Sequence, residues 1–198
     1  MSDNIKMLTP SALGACLFAL FIAMVLVRTA MLRKRGVRAI VFGRTDRSDF
    51  WLVPVVLAVV YALSAKTFGL PVWDVLVRPF WRGAAAGWVG LLLCAASVVG
   101  FGLTLVGFGT SFRVGIDEDK PDALVTRGMF AVSRNPLYLC FLVFFAGTFL
   151  IHRNITVSAA AVLFAAAVHR QILREEKFLA SRYGAEYEEY CRKVRRYL

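Results

Sequence analysis

Residues 136–172 read PLYLCFLVFFAGTFLIHRNITVSAAAVLFAAAVHRQI, two apolar runs joined by His152, Arg153 and Asn154. A helix that crosses about 30 Å of hydrocarbon needs roughly 20 mostly apolar residues. Because the link between the runs is so short, we expect them to form an antiparallel helical hairpin. The start of the first run, at Tyr138, and the end of the second, at Glu175, should then lie side by side.

The rest of the chain has the composition of a membrane protein. Hydrophobic residues make up 59% of it and charged residues only 19%, far from the balance of a soluble domain. We expect an all-α, polytopic membrane helix bundle with about five transmembrane helices. Residues 1–198 should form a single membrane domain, three spans in 1–108 and the hairpin and tail in 109–198. The apolar blocks are 11–31, 50–65, 84–108, 136–151 and 155–172.

Basic residues are distributed unevenly between the two sides of these predicted spans. With the N-terminus outside, the segments 28–49, 109–135 and 170–198 hold 19 of the 24 Lys and Arg residues. Cytoplasmic loops carry such an excess, so we expect the C-terminus on the cytoplasmic side of the inner membrane. The net charge of +11 is expected to face anionic membrane lipids, and no nucleic-acid motif occurs.

The cysteines do not predict a metal site. Cys16, Cys94, Cys140 and Cys191 occur singly, without Cys-x-x-Cys or Cys/His ligand spacing. We therefore expect neither bound metal nor a disulfide framework.

Polar residues lie at the entrance to the hairpin, in the stretch Arg134-Asn135-Pro136-Leu137-Tyr138. Pro136 suits the first turn of a helix, whose amides and partial positive charge can face an anionic group. Arg134 can clamp a carboxylate through two hydrogen bonds. The alternative is that Arg134 is a topological anchor and Tyr138 an interface aromatic residue.

A second polar group lies at the other end of the hairpin. Glu175 and Glu176 are candidates for binding ribose hydroxyls, an ammonium or a sulfonium centre, or else they mark a solvated helix end. His169 is either a proton carrier or an ordinary interface residue. Residues 109–135 form a long connection, which favours a lid or a cofactor-holding segment.

The tail continues a helical pattern, and Gly184 is expected to kink it. Its apolar residues recur at steps of three and four, so they share one helix face. We expect a C-terminal amphipathic cytoplasmic helix that packs on the membrane surface or on the 109–135 segment. The face consists of Leu179, Tyr183, Tyr187, Tyr190, Val194 and Tyr197.

Taken together, these motifs resemble the isoprenylcysteine carboxyl methyltransferase and phospholipid methyltransferase group. The similarity extends from about residue 107 to residue 192, including a stretch at 111–117 that resembles bacterial members. The motifs are Gly128-Met129-Phe130, Arg134-Asn135-Pro136-Leu137-Tyr138, Glu175-Glu176, and Tyr183-Gly184 followed by Tyr187 and Tyr190.

The resemblance implies an integral membrane enzyme that transfers a methyl group from S-adenosylmethionine to a lipophilic or lipid-attached acceptor. The acceptor would enter from the bilayer, and the cofactor would bind on the cytoplasmic side. Arg170 and Arg174, by placement, are candidates to hold an anionic acceptor, and we group them with Glu175 as catalytic candidates. The implied cofactor-binding residues are Leu124, Val125, Gly128, Arg134, Asn135, Pro136, Tyr138, Glu175 and Glu176.

One position departs from the enzymes of prenylated proteins, which carry histidine where this chain has Asn135. Asparagine keeps hydrogen bonding but does not titrate near neutral pH. A base at this position and a prenylcysteine substrate are therefore in doubt, and the acceptor atom is open among oxygen, nitrogen and sulfur.

Two other functions compete with methyl transfer. Membrane steroid reductases carry a similar Arg-His-Pro-x-Tyr segment and an aromatic tail, which would imply NADPH as the cofactor. A small scaffold or lipid-binding membrane protein is the non-enzymatic alternative.

Overall fold

The computed structural model describes residues 9–34, 57, 61, 70–81, 83–108 and 124–198. These residues form helices and irregular connections, as the all-α prediction requires. The helices are α1 (Pro10–Lys34), α2 (Asp74–Val77), α3 (Ala84–Phe108), the 3₁₀ helix η1 (Gly128–Ala131), α4 (Pro136–His152), α5 (Ile155–Tyr183) and α6 (Ala185–Lys193).

Three of the described helices are long and apolar enough to cross a membrane: Pro10–Met31, Ala84–Gly107 and Ile155–Tyr183. The helix Pro136–His152 is apolar but shorter, with 17 residues. The predicted span 50–65 lies outside the described residues, apart from positions 57 and 61. An integral membrane helix bundle is therefore confirmed, whereas the count of five spans stays a prediction.

The helices α3 and α4 cross where two glycines meet. A Cβ atom added to Gly90 would lie 2.5 Å from the carbonyl oxygen of Gly147, and one added to Gly147 would lie 2.6 Å from that of Gly90. The two backbones are thus in direct contact, which small residues permit in membrane helices. Cys94 is fully buried beside this crossing.

Phenylalanine rings join α1 to this helix pair. Phe21 of α1 is 2% exposed, and its ring centroid lies 4.3 Å from that of Phe101. It also lies 5.1 Å from the rings of Phe141 and Phe144 on α4. The apolar core of the described chain therefore lies between α1, α3 and α4.

The hairpin between α4 and α5 is formed as predicted. The chain reverses through Arg153, in the left-handed region with φ 50°, and Asn154. The Asn154 side chain accepts a hydrogen bond from the Val157 amide at 2.9 Å and caps α5. Phe145 and Phe164 stack across the hairpin with centroids 4.3 Å apart.

The tail departs from a single continuous helix. Gly184, with φ 51°, separates α5 from α6, so the helix ends at the position where a kink was predicted. The helix then ends at Lys193, and Val194 is extended, with φ −122° and ψ 132°. Tyr187, Tyr190 and Val194 are buried together, and Leu124 packs on them. This part of the face therefore contacts the connection before α4, one of the two surfaces predicted for it.

Candidate functional site

The two ends of the hairpin meet, as the short link predicted. The Arg134 Nη2 atom lies 3.6 Å from Glu176 Oε1. The Tyr138 hydroxyl donates to Glu175 Oε1 at 2.6 Å. The polar residues before α4 and late in α5 therefore form one cluster at the same end of the helix pair.

Asn135 connects the start of α4 to both α5 and the C-terminus. Pro136 begins the helix and Asn135 is its N-cap residue, but the Asn135 side chain does not cap it. Its Nδ2 atom instead donates to Glu176 Oε1 and to the Arg196 carbonyl, both at 3.2 Å. Asn135 is 8% exposed, and it acts here as a buried donor.

Glu176 is the most highly coordinated member of the cluster. It is 8% exposed, and its Oε2 atom accepts from Arg196 Nε at 2.9 Å and lies 2.7 Å from Arg196 Nη2. Its other oxygen receives the contacts from Asn135 and Arg134. A buried carboxylate is tolerated only with such compensation, so the protein itself occupies the acceptor positions of Glu176.

Glu175 has a different environment. It is only half-buried, and one of its oxygens receives the Tyr138 hydroxyl and the Gln171 amide, the latter at 2.9 Å. The tyrosine and the glutamine hold this carboxylate at the edge of the cluster. The adjacent glutamates, which the sequence analysis treated alike, therefore face different surroundings.

The guanidinium of Arg134 contacts Cys191 and Glu176 through its two terminal nitrogens. Its Nη1 donates to the Cys191 sulfur and its Nη2 faces Glu176. Among the described residues, the buried Nε atom has no hydrogen-bond partner. An unsatisfied buried donor on a charged group is costly, and an anionic ligand atom at this position would satisfy it.

The residues predicted to bind the methyl acceptor lie on α5 just before Glu175. Arg170 is exposed and Arg174 is half-buried, and their spacing of four residues places them on one helix face. His169 is also exposed, and its Nδ1 atom lies 2.7 Å from the Tyr197 hydroxyl. His169 thus contacts the C-terminus.

The connection before α4 contributes apolar contacts and one turn. Leu124 packs on the buried tyrosines of α6, and Val125 is half-buried beside it. Gly128 has φ 66°, a conformation that favours glycine, and it starts η1. The Phe130 carbonyl accepts the Tyr190 hydroxyl at 2.7 Å. Residues 109–123 of the predicted lid lie outside the described residues.

The tyrosines beneath the cluster are neutral. Burial raises the pKa of Tyr190 to about 12. Burial, reinforced by the nearby Glu176 charge, raises the pKa of Tyr187 as well. The charge next to these tyrosines therefore comes from Arg134, Arg196 and Glu176, whose charges add up to one positive charge. The Glu175 carboxylate lies beside this group. Such a site suits a ligand that carries both an anionic and a cationic group.

Several members of the cluster were missed by the sequence analysis. The sequence analysis assigned no role to Arg196, and no spacing rule connects it to Glu176. Ser133 donates to the Arg196 carbonyl at 3.2 Å, and Gln171 and Cys191 also contribute. Among the residues that the structure describes, no group of three His, Cys, Asp or Glu side chains is placed to hold a metal ion.

Comparison with known proteins gives an independent view of this region. Residues 89–186 match the model of the phospholipid methyltransferase family. The chain is 34% identical over 111 residues to a probable protein-S-isoprenylcysteine O-methyltransferase of Oryza sativa subsp. indica, covering 54% of this chain and 58% of the relative.

Two bacterial relatives are named for resistance to metals and not for a reaction. The cobalt-zinc-cadmium resistance protein CzcN of Cupriavidus metallidurans is 30% identical over 154 residues, 77% of this chain and 63% of the relative. The nickel-cobalt-cadmium resistance protein NccN of Alcaligenes xylosoxydans xylosoxydans is 31% identical over 154 residues, 77% of this chain and 64% of the relative. The chain thus spans less than two thirds of the length of these relatives.

A solved structure has the same fold. The eukaryotic intramembrane Ras methyltransferase, isoprenylcysteine carboxyl methyltransferase, superposes with a TM-score of 0.65 over 94% of this chain and 66% of that chain. The sequence identity is 19%, so the likeness concerns the architecture.

Proposed function

Because the chain belongs, through residues 89–186, to the phospholipid methyltransferase family, we propose that it is a membrane methyltransferase dependent on S-adenosylmethionine. Its acceptor is a lipophilic or lipid-attached molecule. The observation that carries the proposal is the convergence of the hairpin ends, where Tyr138 contacts Glu175 and Arg134 contacts Glu176. Family membership and this geometry support the same site.

The residues present fit the polar groups of S-adenosylmethionine, which has a carboxylate, an ammonium, ribose hydroxyls and a sulfonium. The unsatisfied Nε of Arg134 and the positive end of α4 suit the carboxylate. The half-buried Glu175 suits the ammonium or a ribose hydroxyl. Glu176 is already surrounded by Arg196, Asn135 and Arg134, so we assign it to the support of the site.

The apolar wall of the cofactor site is assigned to the connection before α4. Leu124 and Val125 offer hydrocarbon, and Gly128, with its positive φ, allows the backbone to approach a ligand closely. Pro136 and Asn135 fix the direction in which α4 begins. All the predicted cofactor-binding residues are thus assigned to the cofactor site. Some of them contact the cofactor, and the others hold the contacting residues in place.

The bound cofactor supplies an electrophilic methyl carbon, and methyl transfer is an in-line displacement. The protein's part is to align the reactants and exclude water. Glu175 holds its ligand through a carboxylate fixed by Tyr138 and Gln171. Arg170 and Arg174 hold an anionic acceptor, which would need no general base. Asn135 donates a hydrogen bond and moves no proton.

The acceptor is assigned to the lipophilic class because the site adjoins the spanning helices. The name of the matching family, phospholipid methyltransferase, supports this class. The name of one relative, a probable protein-S-isoprenylcysteine O-methyltransferase, supports it as well. The excess of Lys and Arg on one side of the spans supports a site at the cytoplasmic face. The N-terminus is then outside and the C-terminus inside.

Binding of S-adenosylmethionine to the purified protein in detergent tests the proposal. We expect binding by the wild type and a loss of about tenfold or more in affinity for both Arg134→Ala and Glu175→Ala. Methylation of phospholipid and prenylcysteine acceptors in vesicles then identifies the acceptor class.

Matched control variants remove one positive or one negative charge outside the candidate site. Arg192 and Glu188 are exposed on α6, so Arg192→Ala and Glu188→Ala should bind as the wild type does. Undisturbed binding in both site variants would reject the site. A wild type that binds NADPH and not S-adenosylmethionine would favour the reductase alternative, and one that binds neither would favour a scaffold.

A further inference from the structure

The last residues of the chain lie directly on the candidate site. The chain leaves the helix at Val194, and residues 194–197, here called the C-terminal strap, contact the residues just before α4. The Arg134 amide donates to the Arg195 carbonyl at 3.0 Å. The Arg196 carbonyl accepts from Ser133 Oγ and from Asn135 Nδ2, each at 3.2 Å. The strap thus satisfies polar groups of three consecutive residues before α4.

The side chains of the strap reach α5 on the other side. Arg196 makes the two shortest contacts of Glu176, through Nε at 2.9 Å and Nη2 at 2.7 Å. The Tyr197 hydroxyl lies 2.7 Å from His169 Nδ1, and its ring packs on the buried Val168 and Ile172. The strap is therefore bonded at once to the residues before α4 and to α5, the two sides of the proposed cofactor site.

Among the strap residues, Arg196 compensates the charge of the buried Glu176 carboxylate. Glu176 is 8% exposed, and Arg134, at 3.6 Å, is its more distant cation. Without Arg196, the Arg134 guanidinium would have to turn toward Glu176 to compensate the buried carboxylate. That movement would displace the Nε atom proposed to face the cofactor. The hydrogen bond to Glu176 also raises the pKa of Arg196, in keeping with a permanently charged partner.

We propose that Arg196 is a positioning residue for cofactor binding and that the C-terminal strap is a structural part of the cofactor site. Arg196 acts through Glu176, Asn135 and Arg134 without touching the ligand. The inference rests on the proposed function for its link to S-adenosylmethionine, whereas the ordering of residues 133–135 by the strap can be measured without any cofactor.

The test compares Arg196→Gln with Arg192→Gln in the whole chain. Arg192 is exposed on α6 and lies outside the strap. Both variants lose one positive charge, so effects of net charge on lipids and detergent are matched. Hydrogen exchange of the cofactor-free protein and the affinity for S-adenosylmethionine are the two measurements.

We expect Arg196→Gln to accelerate exchange in residues 133–139 and to weaken cofactor binding about tenfold to a hundredfold, since small misplacements have effects of this size. Arg192→Gln should match the wild type in both. Arg196→Lys keeps the charge but not the pair of donors, so it should restore part of the affinity.

Each remaining outcome decides between the claims. Equal exchange in the two glutamine variants overturns the strap as an ordering element. Faster exchange with unchanged affinity in Arg196→Gln overturns its role in cofactor binding. If the wild type does not bind S-adenosylmethionine while exchange still depends on Arg196, the proposed function fails and the strap stands. Should Arg196→Gln not fold, the double variant Glu176→Gln/Arg196→Gln removes the buried carboxylate together with its Arg196 partner, and it should fold and show the same weakened binding. Wild-type affinity in this double variant overturns the positioning role.

Discussion

The crossing of α3 with α4 and the polar end of the hairpin are both buried, but they are held by opposite means. At the crossing, backbone meets backbone at Gly90 and Gly147, and the surrounding contacts are apolar. At the polar end, Glu176 is surrounded by donors from Arg134, Asn135 and Arg196. The first arrangement depends on the absence of side chains, and the second depends on every partner being present. Stability should therefore be concentrated in the first region and specificity of binding in the second.

The largest effect is expected at the crossing. In Gly147→Ala the new Cβ would lie 2.6 Å from the Gly90 oxygen and 2.7 Å from Cys94 Sγ, so the helices must separate. We expect a destabilisation of about 3 kcal/mol or more, seen as a loss of monodisperse protein and a lower midpoint of thermal unfolding. Gly107→Ala lies on α3, where an added Cβ would have nothing within 4 Å, so it is the control and should behave as the wild type. Normal unfolding of Gly147→Ala would show that the crossing is looser than described.

The second prediction separates the two glutamates. Glu176→Ala leaves Arg134 and Arg196 facing each other without their carboxylate. Breaking a fully buried pair costs about 3–5 kcal/mol, and the cost here is smaller because the Arg196 side chain is 36% exposed. Glu175→Ala removes a half-buried carboxylate, so its effect on unfolding should stay below about 1 kcal/mol while cofactor affinity falls. Thermal unfolding and binding of S-adenosylmethionine, measured on both variants, distinguish support from contact. Equal loss of stability in the two would remove the distinction.

A smaller effect is expected at Tyr138. Tyr138→Phe removes the hydroxyl that donates to Glu175 at 2.6 Å but keeps the ring packed against Phe164, Val168 and Ile172. Because Glu175 is only half-buried, the loss of this hydrogen bond should change the free energy of unfolding by less than about 1 kcal/mol. Cofactor affinity should fall about tenfold, because the carboxylate is no longer held in one orientation. In a double-mutant cycle with Glu175→Gln, the two losses should be less than additive. Full additivity would mean that the hydroxyl does not act through Glu175.

The sequence predicted the hairpin and its consequences because these depend on short-range rules. The lengths of the apolar runs and the link at 152–154 require α4 and α5 to be antiparallel. Proline at the first turn of α4 and glycine at 184 mark helix boundaries through their own backbone preferences. From these rules the meeting of Tyr138 with Glu175 follows without a template.

The different environments of Glu175 and Glu176 were not predictable in the same way. Consecutive residues on a helix point in directions about 100° apart, so one of the two glutamates faces inward. The helical pattern does not reveal which residue contacts that glutamate. Arg196 becomes that partner because the chain leaves the helical state at Val194. The helical periodicity of the tail favoured continuing to Tyr197, and the hydrogen bonds from residues 133–135 outweigh that preference.

The smallest effect concerns Tyr190, which joins α6 to the connection before α4 through its 2.7 Å hydrogen bond to the Phe130 carbonyl. Burial raises its pKa from 10.0 to about 12. As the pH rises above 10, the unfolded chain loses the proton first, so the contribution of this group to stability is complete below pH 10. It is then lost progressively as the pH approaches 12.

Thermal unfolding of the wild type and of Tyr190→Phe between pH 8 and pH 12 isolates this contribution. The variant lacks the titrating group, so its midpoint should fall less steeply above pH 10, although it should be less stable by about 1 kcal/mol at neutral pH because the hydrogen bond is missing. Burial raises the pKa of Tyr187 and Tyr197 as well, but these residues are common to both proteins and cancel in the difference. Parallel curves would mean that the Tyr190 hydroxyl is open to water, and the tail would then be attached to the site less firmly than the strap contacts require.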